Sequence, residues 1–391
     1  MDVLCLNAGS SSLKFAVYRV AASDPGGKRT ETLRAEGEVE RVAAAGSRLR
    51  ARAPGASAPI EREERFADHV AAVGAVFAAL ESLAVAGPDA VGHRLVHGGP
   101  RYAAPVRIDA HVLEDLRRLV ALAPLHMPSG LAVIDAVTSK FPALPQVACF
   151  DMAFHHRMPE LAQRLPLPEW VWDEGIRRYG FHGLSYEYVL ATLGPAARGR
   201  VVIAHLGNGA SLAAVRDGRP VDTTMGLTPT GGLVMGTRTG DLDPGVLLYL
   251  LREKRYDADA LARLVDREAG LLGISGTTSD VRALLAARDG DPRAALALSL
   301  FSYQARKHIG AMAAVLGGLD TLVFTGGIGE HAAPVRAEIC AGLEHLGVRL
   351  DPERSERSVD PISAHGSACI VRVIATNEDL MIARHVAATL G

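Results

Sequence analysis

Val3-Leu4-Cys5-Leu6-Asn7-Ala8-Gly9-Ser10-Ser11-Ser12-Leu13-Lys14-Phe15-Ala16-Val17-Tyr18-Arg19-Val20 is the stretch whose reading decides the fold. An apolar run over 3–6 stops at a small, polar turn and resumes at Leu13 with mostly apolar odd positions. A period of two marks a strand, because successive strand side chains point to opposite faces. The unit is therefore strand–turn–strand, which excludes a P-loop, whose glycines must open a helix. The same unit returns about 200 residues further on, and such a repeat bears on the whole architecture. There, Val201-Val202-Ile203-Ala204-His205-Leu206 meets Gly207-Asn208-Gly209-Ala210-Ser211 and runs on as Leu212-Ala213-Ala214-Val215. Laid over one another, Leu6 falls on Leu206, Gly9 on Gly209 and Ser11 on Ser211.

Outward from these units, Asp217-Gly218 supplies a hairpin turn. A third apolar run, Leu322-Val323-Phe324, ends in Thr325-Gly326-Gly327-Ile328-Gly329-Glu330. Helical spacing is predicted over 66–84, 113–122, 294–316 and 335–346. The chain closes with a strand over 370–375, a polar Thr376-Asn377-Glu378-Asp379 step and a helix capped by Asn377 or Asp379. Residues 23–31 and 46–65, rich in Gly, Pro and Arg, read as hairpin connections. Strands alternating with helices make the fold α/β. Two similar halves are expected, 1–151 plus 377–391 and 152–376, around a central cleft of the kind that takes a ligand.

The chain has 391 residues, 48% hydrophobic and 22% charged. That length favours two domains, and the apolar fraction excludes a disordered chain. Lys+Arg 42 against Asp+Glu 44 leaves a net charge of −2, without the basic footprint of a nucleic-acid binder. Cys5, Cys149, Cys340 and Cys369 lie far apart with no CxxC spacing, which argues against a zinc module or disulfide framework and suits a reducing compartment. No signal peptide is read at the start, and no apolar run reaches the ~18 residues of a membrane span. A soluble, cytoplasmic protein is expected, with neither membrane nor nucleic acid as partner.

Three glycine-rich turns, each after a strand, let backbone N–H groups approach an anion closely. A lone lysine is usually a solvated charge, but Lys14 follows three serines on a short strand, and those donors together suit phosphate oxygens. Arg94, in Gly92-His93-Arg94-Leu95-Val96-His97-Gly98-Gly99, needs either an internal ion partner or a bound anion. Arg238, in Met235-Gly236-Thr237-Arg238-Thr239-Gly240-Asp241, sits among glycines and small polar residues with little to pack against. Its fork fits carboxylate and phosphoryl oxygens. His126, His155-His156 and His182 fall in loop-like contexts without the tight spacing of a zinc site. Asp151 and Glu378 stand at strand ends. Each is either a helix cap or a ligand group, and a carboxylate at Glu378 suits Mg²⁺ held through water.

Taken in order, these motifs resemble the acetate kinase family, within the sugar kinase/heat-shock ATPase/actin superfamily. The resemblance runs from Asn7 to the final helix and includes Pro124-Leu125-His126, Phe150-Asp151, Arg178-Tyr179-Gly180-Phe181-His182-Gly183 and Thr376-Asn377-Glu378. It implies an actin-like ATPase fold and reversible transfer of the ATP γ-phosphoryl group to acetate, giving acetyl phosphate and ADP. It also implies Mg²⁺ (Mn²⁺ as the alternative) at Asn7 and Glu378, and a homodimer. Carried over by motif, Ser10, Ser12 and Lys14 are phosphate-side contacts. Arg94 and Arg238 hold the carboxylate and the moving phosphoryl group, Asp151 is the essential aspartate, His182 contacts the phosphoryl group, and His126 supports it. His205, Gly207, Asn208 and Gly209, with Asp280, Val281, Arg282, Gly326, Gly327, Ile328 and Gly329, resemble the nucleotide-holding set. Val96, Leu125 and Pro229 match the pocket for the acyl methyl group.

A carboxylate acceptor is already ionised at neutral pH, so no general base is required. Asp151 is expected to orient a group or the metal shell. Charge on three equatorial oxygens falls to the arginines, His182 and the metal to neutralise. The chain departs from the family pattern in places expected near the acyl site. Thr230-Gly231 replaces a usual Leu-Glu, and Met127 and His331 replace asparagines. Acyl preference is thereby left open, with propionate as the close rival, since one methylene is worth only ~1–3 kcal/mol. An ATPase clamp of the actin or heat-shock type is the rival from another class, and it would not need two arginines at an acyl site.

Overall fold

The computed structural model describes residues 1–21, 30–56 and 58–391. The chain divides into two compact units, Met1–Ala153 with Asn377–Gly391, and Phe154–Thr376.

In the first unit the opening stretch is a hairpin of β1 (Asp2–Ala8) and β2 (Ser12–Val20), with Asn7 opposite Lys14. The turn closes where Gly9 N–H donates to the Ser12 carbonyl at 2.8 Å. β3 (Glu31–Glu40), β4 (Arg48–Arg52) and β5 (Ile60–Glu63) extend the sheet on one side. β6 (Ala90–Leu95), the short β7 (Val106–Arg107) and β8 (Gln146–Phe150) extend it on the other, giving the order β5-β4-β3-β2-β1-β6-β8-β7. The expectation of a hairpin connection over 46–65 is corrected, because that segment holds both β4 and β5. Leu49 and Ala51 are buried while Arg50 and Arg52 point outward, opposite Glu38 and Glu36 of β3. The outward row of arginines hides the period of two behind a polar composition. Of the other expected connection, residues 23–29 lie outside the described residues, and Glu31 already opens β3.

Helices cover both faces of this sheet. His69–Ser82, capped by Asp68, and Met127–Lys140 bury Val73, Val76, Leu80, Val133 and Val137 with Leu4, Leu6, Leu13 and Phe15. The closing helix Glu378–Leu390 begins at the Asn377 cap, whose side chain accepts from Leu380 N–H. It lies against β6 at Gly92, where an added Cβ would stand 2.3 Å from the Ile382 Cγ2 methyl.

In the second unit β9 (Arg200–Leu206), β10 (Ala210–Arg216), β11 (Arg219–Thr223), β12 (Thr321–Thr325) and β13 (Ile370–Val373) form a sheet of order β11-β10-β9-β12-β13. β9 pairs antiparallel with β10 and β10 with β11, while β9–β12 and β12–β13 are parallel. The run β3-β2-β1-β6-β8 repeats that pattern of directions strand for strand. The helix Gly183–Leu193 packs Tyr186, Val189 and Leu193 against β9 and β10 through Val201, Ile203, Ala213 and Val215. The third glycine-rich turn leads from β12 directly into the helix Gly326–His331.

Candidate functional site

β1, β6 and β8 run parallel, so their carboxyl ends share one edge of the first sheet, where open α/β sheets take ligands. Asn7 and Arg94 are register partners there, and Asp151 follows the end of β8. Arg94 donates from Nε to Asp151 Oδ1 at 2.9 Å and from Nη2 to Oδ2 at 2.5 Å, a fork-on-fork ion pair. Nη1 donates to Asn7 Oδ1 at 3.0 Å, and Glu378 Oε2 lies 3.5 Å from Nε. A guanidinium carries five N–H donors. Three are used here, so two remain for a ligand. Burial works against the charge on Arg94, but the carboxylates of Asp151 and Glu378 outweigh it and hold the group charged above its ordinary range. The two options for Arg94, internal ion pair or anion ligand, are thus compatible.

Ser10 is exposed in the first turn and Ser12 is half-buried at the start of β2. Lys14, also exposed, lines a recess with Glu36, Glu38 and Asp379. The Asp379 carboxyl is pushed up to about 6, first by burial and then by the charge of Glu378, against the opposing pull of Lys14. His126 directly precedes the helix Met127–Lys140, and its carbonyl accepts from Ser129 Oγ at 3.0 Å. Val96, just past β6, and Leu125 are half-buried. His69, absent from the sequence-based set, braces the first turn, with Nε2 2.9 Å from the Gly9 carbonyl oxygen.

In the second unit His182 stands before the helix Gly183–Leu193 with a left-handed φ of 61°. Its Nδ1 lies 2.8 Å from Ser211 Oγ, which also bonds the Tyr186 hydroxyl. The neighbouring ring of His205 stacks on it, centroids 4.1 Å apart, with its own Nδ1 2.9 Å from Ser185 Oγ. Anchoring Nδ1 of each ring fixes where Nε2 points. Measured from a Cβ built on Gly209, His182 Nε2 is 3.2 Å away and Arg238 Nη1 3.5 Å. The second glycine turn, an imidazole and a guanidinium therefore converge on one small space. Sequence reasoning missed Ser185, Tyr186 and Ser211 as the fixing groups, although Ser211 already stood out as the repeat partner of Ser11.

Gly207, Asn208, Asp280, Val281, Arg282, Gly327 and Ile328 line a single cleft of about 590 Å³. Gly326 stands behind it, 3.2 Å from His205 Nε2 by the same Cβ measure, and the Gly329 carbonyl turns away to accept from Arg336 Nη1 at 2.9 Å. His331 lines this cleft too, which corrects its expected place beside the acyl pocket. Pro229 is buried, and its carbonyl accepts from Arg238 Nη1 at 3.0 Å. Among the described residues no group of three or more His, Cys, Asp or Glu side chains is arranged to hold a metal, and no helix is long and apolar enough to cross a membrane.

A sheet pattern used twice, with glycine turns, arginines and fixed imidazoles at the strand ends, defines the actin-like ATPase class of fold. The sequence model of the acetokinase family matches residues 2–384. An acetate kinase of Rhodopseudomonas palustris is 45% identical, covering 98% of this chain and 97% of that protein. The crystal structure of Porphyromonas gingivalis acetate kinase superposes with a TM-score of 0.87 at 37% identity, over all of both chains. A propionate kinase from Francisella tularensis subsp. tularensis gives 0.90 at 37% identity, over 98% of each. The chain belongs to the acetokinase family.

Proposed function

We propose that this protein transfers the γ-phosphoryl group of ATP reversibly to acetate, giving acetyl phosphate and ADP by direct in-line displacement. The observation that carries the reading is the convergence of His182 Nε2 and Arg238 Nη1 on the Gly209 turn. That space has donors on several sides and suits a group with charge on three equatorial oxygens.

In this reading the nucleotide occupies the cleft of Asn208, Asp280, Arg282 and Ile328, with its phosphates along Gly207 and Gly209. Ser10, Ser12 and Lys14 are phosphate contacts in this reading. An acetate oxygen attacks the γ-phosphorus, the new O–P bond forms, and the bond to the bridging oxygen breaks as ADP leaves. The acceptor is ionised, so no proton moves. Arg94 presents its two remaining N–H donors to the carboxylate and the phosphoryl oxygens. Asp151 acts through Arg94, holding the fork so that little reorganisation is needed during transfer. Arg238 and His182 stabilise the phosphoryl group, with His126 in support. Val96, Leu125 and Pro229 take the methyl group.

Asn7 and Glu378 offer oxygen donors on either side of Arg94, the chemistry Mg²⁺ accepts when phosphates and waters complete its shell. Mn²⁺ is compatible with the same donors. The ion would neutralise phosphate charge. A homodimer is part of the reading. The helix Pro244–Glu253 has no buried residue, and Leu248 and Tyr249 stand 47% and 53% exposed, an apolar face of the kind that a second copy covers. Widely spaced, buried thiols suit the cytoplasm.

Propionate is the second reading, favoured by the propionate kinase likeness and by Thr230-Gly231 beside Pro229. Hydroxylamine trapping of the acyl phosphate, with kcat/KM compared on acetate, propionate and butyrate, decides between them. Acetate is expected to give the highest value. A propionate optimum reassigns the acid, and no acid-dependent hydroxamate at all overturns the kinase reading.

A further inference from the structure

Arg238 is held by an unusual piece of backbone. Its Nη1 donates to the Pro229 carbonyl and lies 3.7 Å from Met235 Sδ, so Pro229 is one of the groups that place the guanidinium. Yet Pro229-Thr230-Gly231-Gly232 is poor in anchors of its own. Proline has no N–H, and two successive glycines leave the chain conformationally free. Two aspartates supply what is missing. Asp241 Oδ1 accepts from Gly232 N–H at 2.7 Å, and Asp266 Oδ1 accepts the Thr230 hydroxyl.

Asp266 also reaches the other side of the same loop. Its backbone carbonyl accepts from Thr237 Oγ1 at 2.8 Å, directly beside Arg238. Next to it, the Val265 carbonyl accepts from Thr239 N–H at 3.0 Å, and Ala269 N–H donates to the Thr237 carbonyl at 3.1 Å. Asp266 lies in a π-helical turn, Leu264–Glu268, a wide turn of the kind often found at functional sites. One residue therefore ties both flanks of the Arg238 loop to a single support. The side-chain half of the tie depends on the Thr230 hydroxyl.

We propose that Asp266 is a positioning residue for phosphoryl transfer, fixing Pro229 and Arg238 relative to each other through the Thr230 hydroxyl and the Thr237 side chain. The proposal rests on the reading that Arg238 and Pro229 serve the acid and the moving phosphoryl group. It gives the Thr230 hydroxyl a role, as a hydrogen bond to a loop 36 residues on. Misplacement of a catalytic group by about 1 Å is enough to lower turnover.

The test compares T230V, T230S and D266A in the full-length protein, alone and with R238A. T230V keeps the shape and removes the hydroxyl. It is expected to lower kcat about ten-fold and raise KM for the acid, with KM for ATP within about two-fold and the melting temperature nearly unchanged. T230S is expected to recover most of the loss, and D266A to lose at least as much as T230V. On the R238A background, T230V should cost little more, because both act through one group. An unchanged kcat in T230V, an equal rise in both KM values, or full additivity with R238A overturns the proposal. An R238A enzyme with normal turnover instead overturns the functional reading beneath it, whatever T230V does.

Discussion

Arg94 shows how much one side chain is asked to do. Its guanidinium is positioned by Asp151 and Asn7 and still has two donors to offer. Removing it should cost several hundredfold or more in kcat/KM, about 4 kcal/mol, similar to deleting one donor from an oxyanion site. R94K should not recover the activity, because an ammonium reproduces the charge but not the fork. Steady-state kinetics with hydroxamate detection checks both, and an R94A enzyme within ten-fold of the parent would remove Arg94 from the proposed phosphoryl clamp. The sequence announced Arg94 and Arg238 because an arginine among small or apolar neighbours has no evident packing role. It did not announce Ser185, Ser211 or Asp266. A serine or aspartate becomes a positioning group only through a partner brought near by the fold, as when Ser211 on β10 meets an imidazole 29 residues earlier.

At the scale of elements, the closing helix Glu378–Leu390 carries Glu378 at its first turn and is seated on β6 by the absence of a side chain at Gly92. A methyl there would press on Ile382 Cγ2 at 2.3 Å and Val386 Cγ2 at 2.7 Å, so the helix must shift. G92A is expected to destabilise the protein by ~1–3 kcal/mol, the usual range for overpacking. It should also lower kcat, since the same shift carries Glu378 away from Arg94. Denaturant melts and kinetics on one preparation test this, and a melt within error of the parent would mean the helix is not seated there. Regular elements with one apolar face were readable from periodicity, including the hairpin of β1 and β2, its counterpart of β9 and β10, and the helix Pro292–Leu316. β4 and β5 were not. Their stabilising pairs are charges facing charges across strands, such as Arg50 with Glu61 and Glu36 with Arg52, and window composition cannot separate such a ladder from a solvated loop.

For the molecule as a whole, the duplicated hairpin was visible from three matched positions, and the structure extends it to five strands in each sheet. The wider correspondence escaped the sequence because strand directions and order are not encoded in side-chain similarity. Each unit also buries a histidine that the proposed chemistry does not use, and together these contribute to how the protein responds to acid. His93 in the first unit has Nε2 2.7 Å from Gln146 Oε1. His155 in the second has Nε2 3.0 Å from the Phe181 carbonyl. Burial holds both near a pKa of about 4, with those hydrogen bonds pulling weakly the other way. An unfolded histidine takes a proton near pH 6.5, so below that the unfolded chain binds more protons than the fold. Stability is therefore fully present above about pH 6.5 and falls as the pH drops toward 4, by up to about 3 kcal/mol for each histidine. Asp379 works in the opposite sense, since its raised carboxyl pKa makes the fold bind the extra proton below about pH 6. Glu38 and Asp222, raised by burial, act with Asp379, whereas the lowered carboxyls of Asp2, Asp241 and Asp320 act with the histidines, and urea midpoints are expected to decline between pH 6.5 and 4.5. H93N should be less stable than the parent at pH 7 and show a shallower decline on acidification. A decline unchanged by H93N and H155N together would assign the acid sensitivity to groups other than these two.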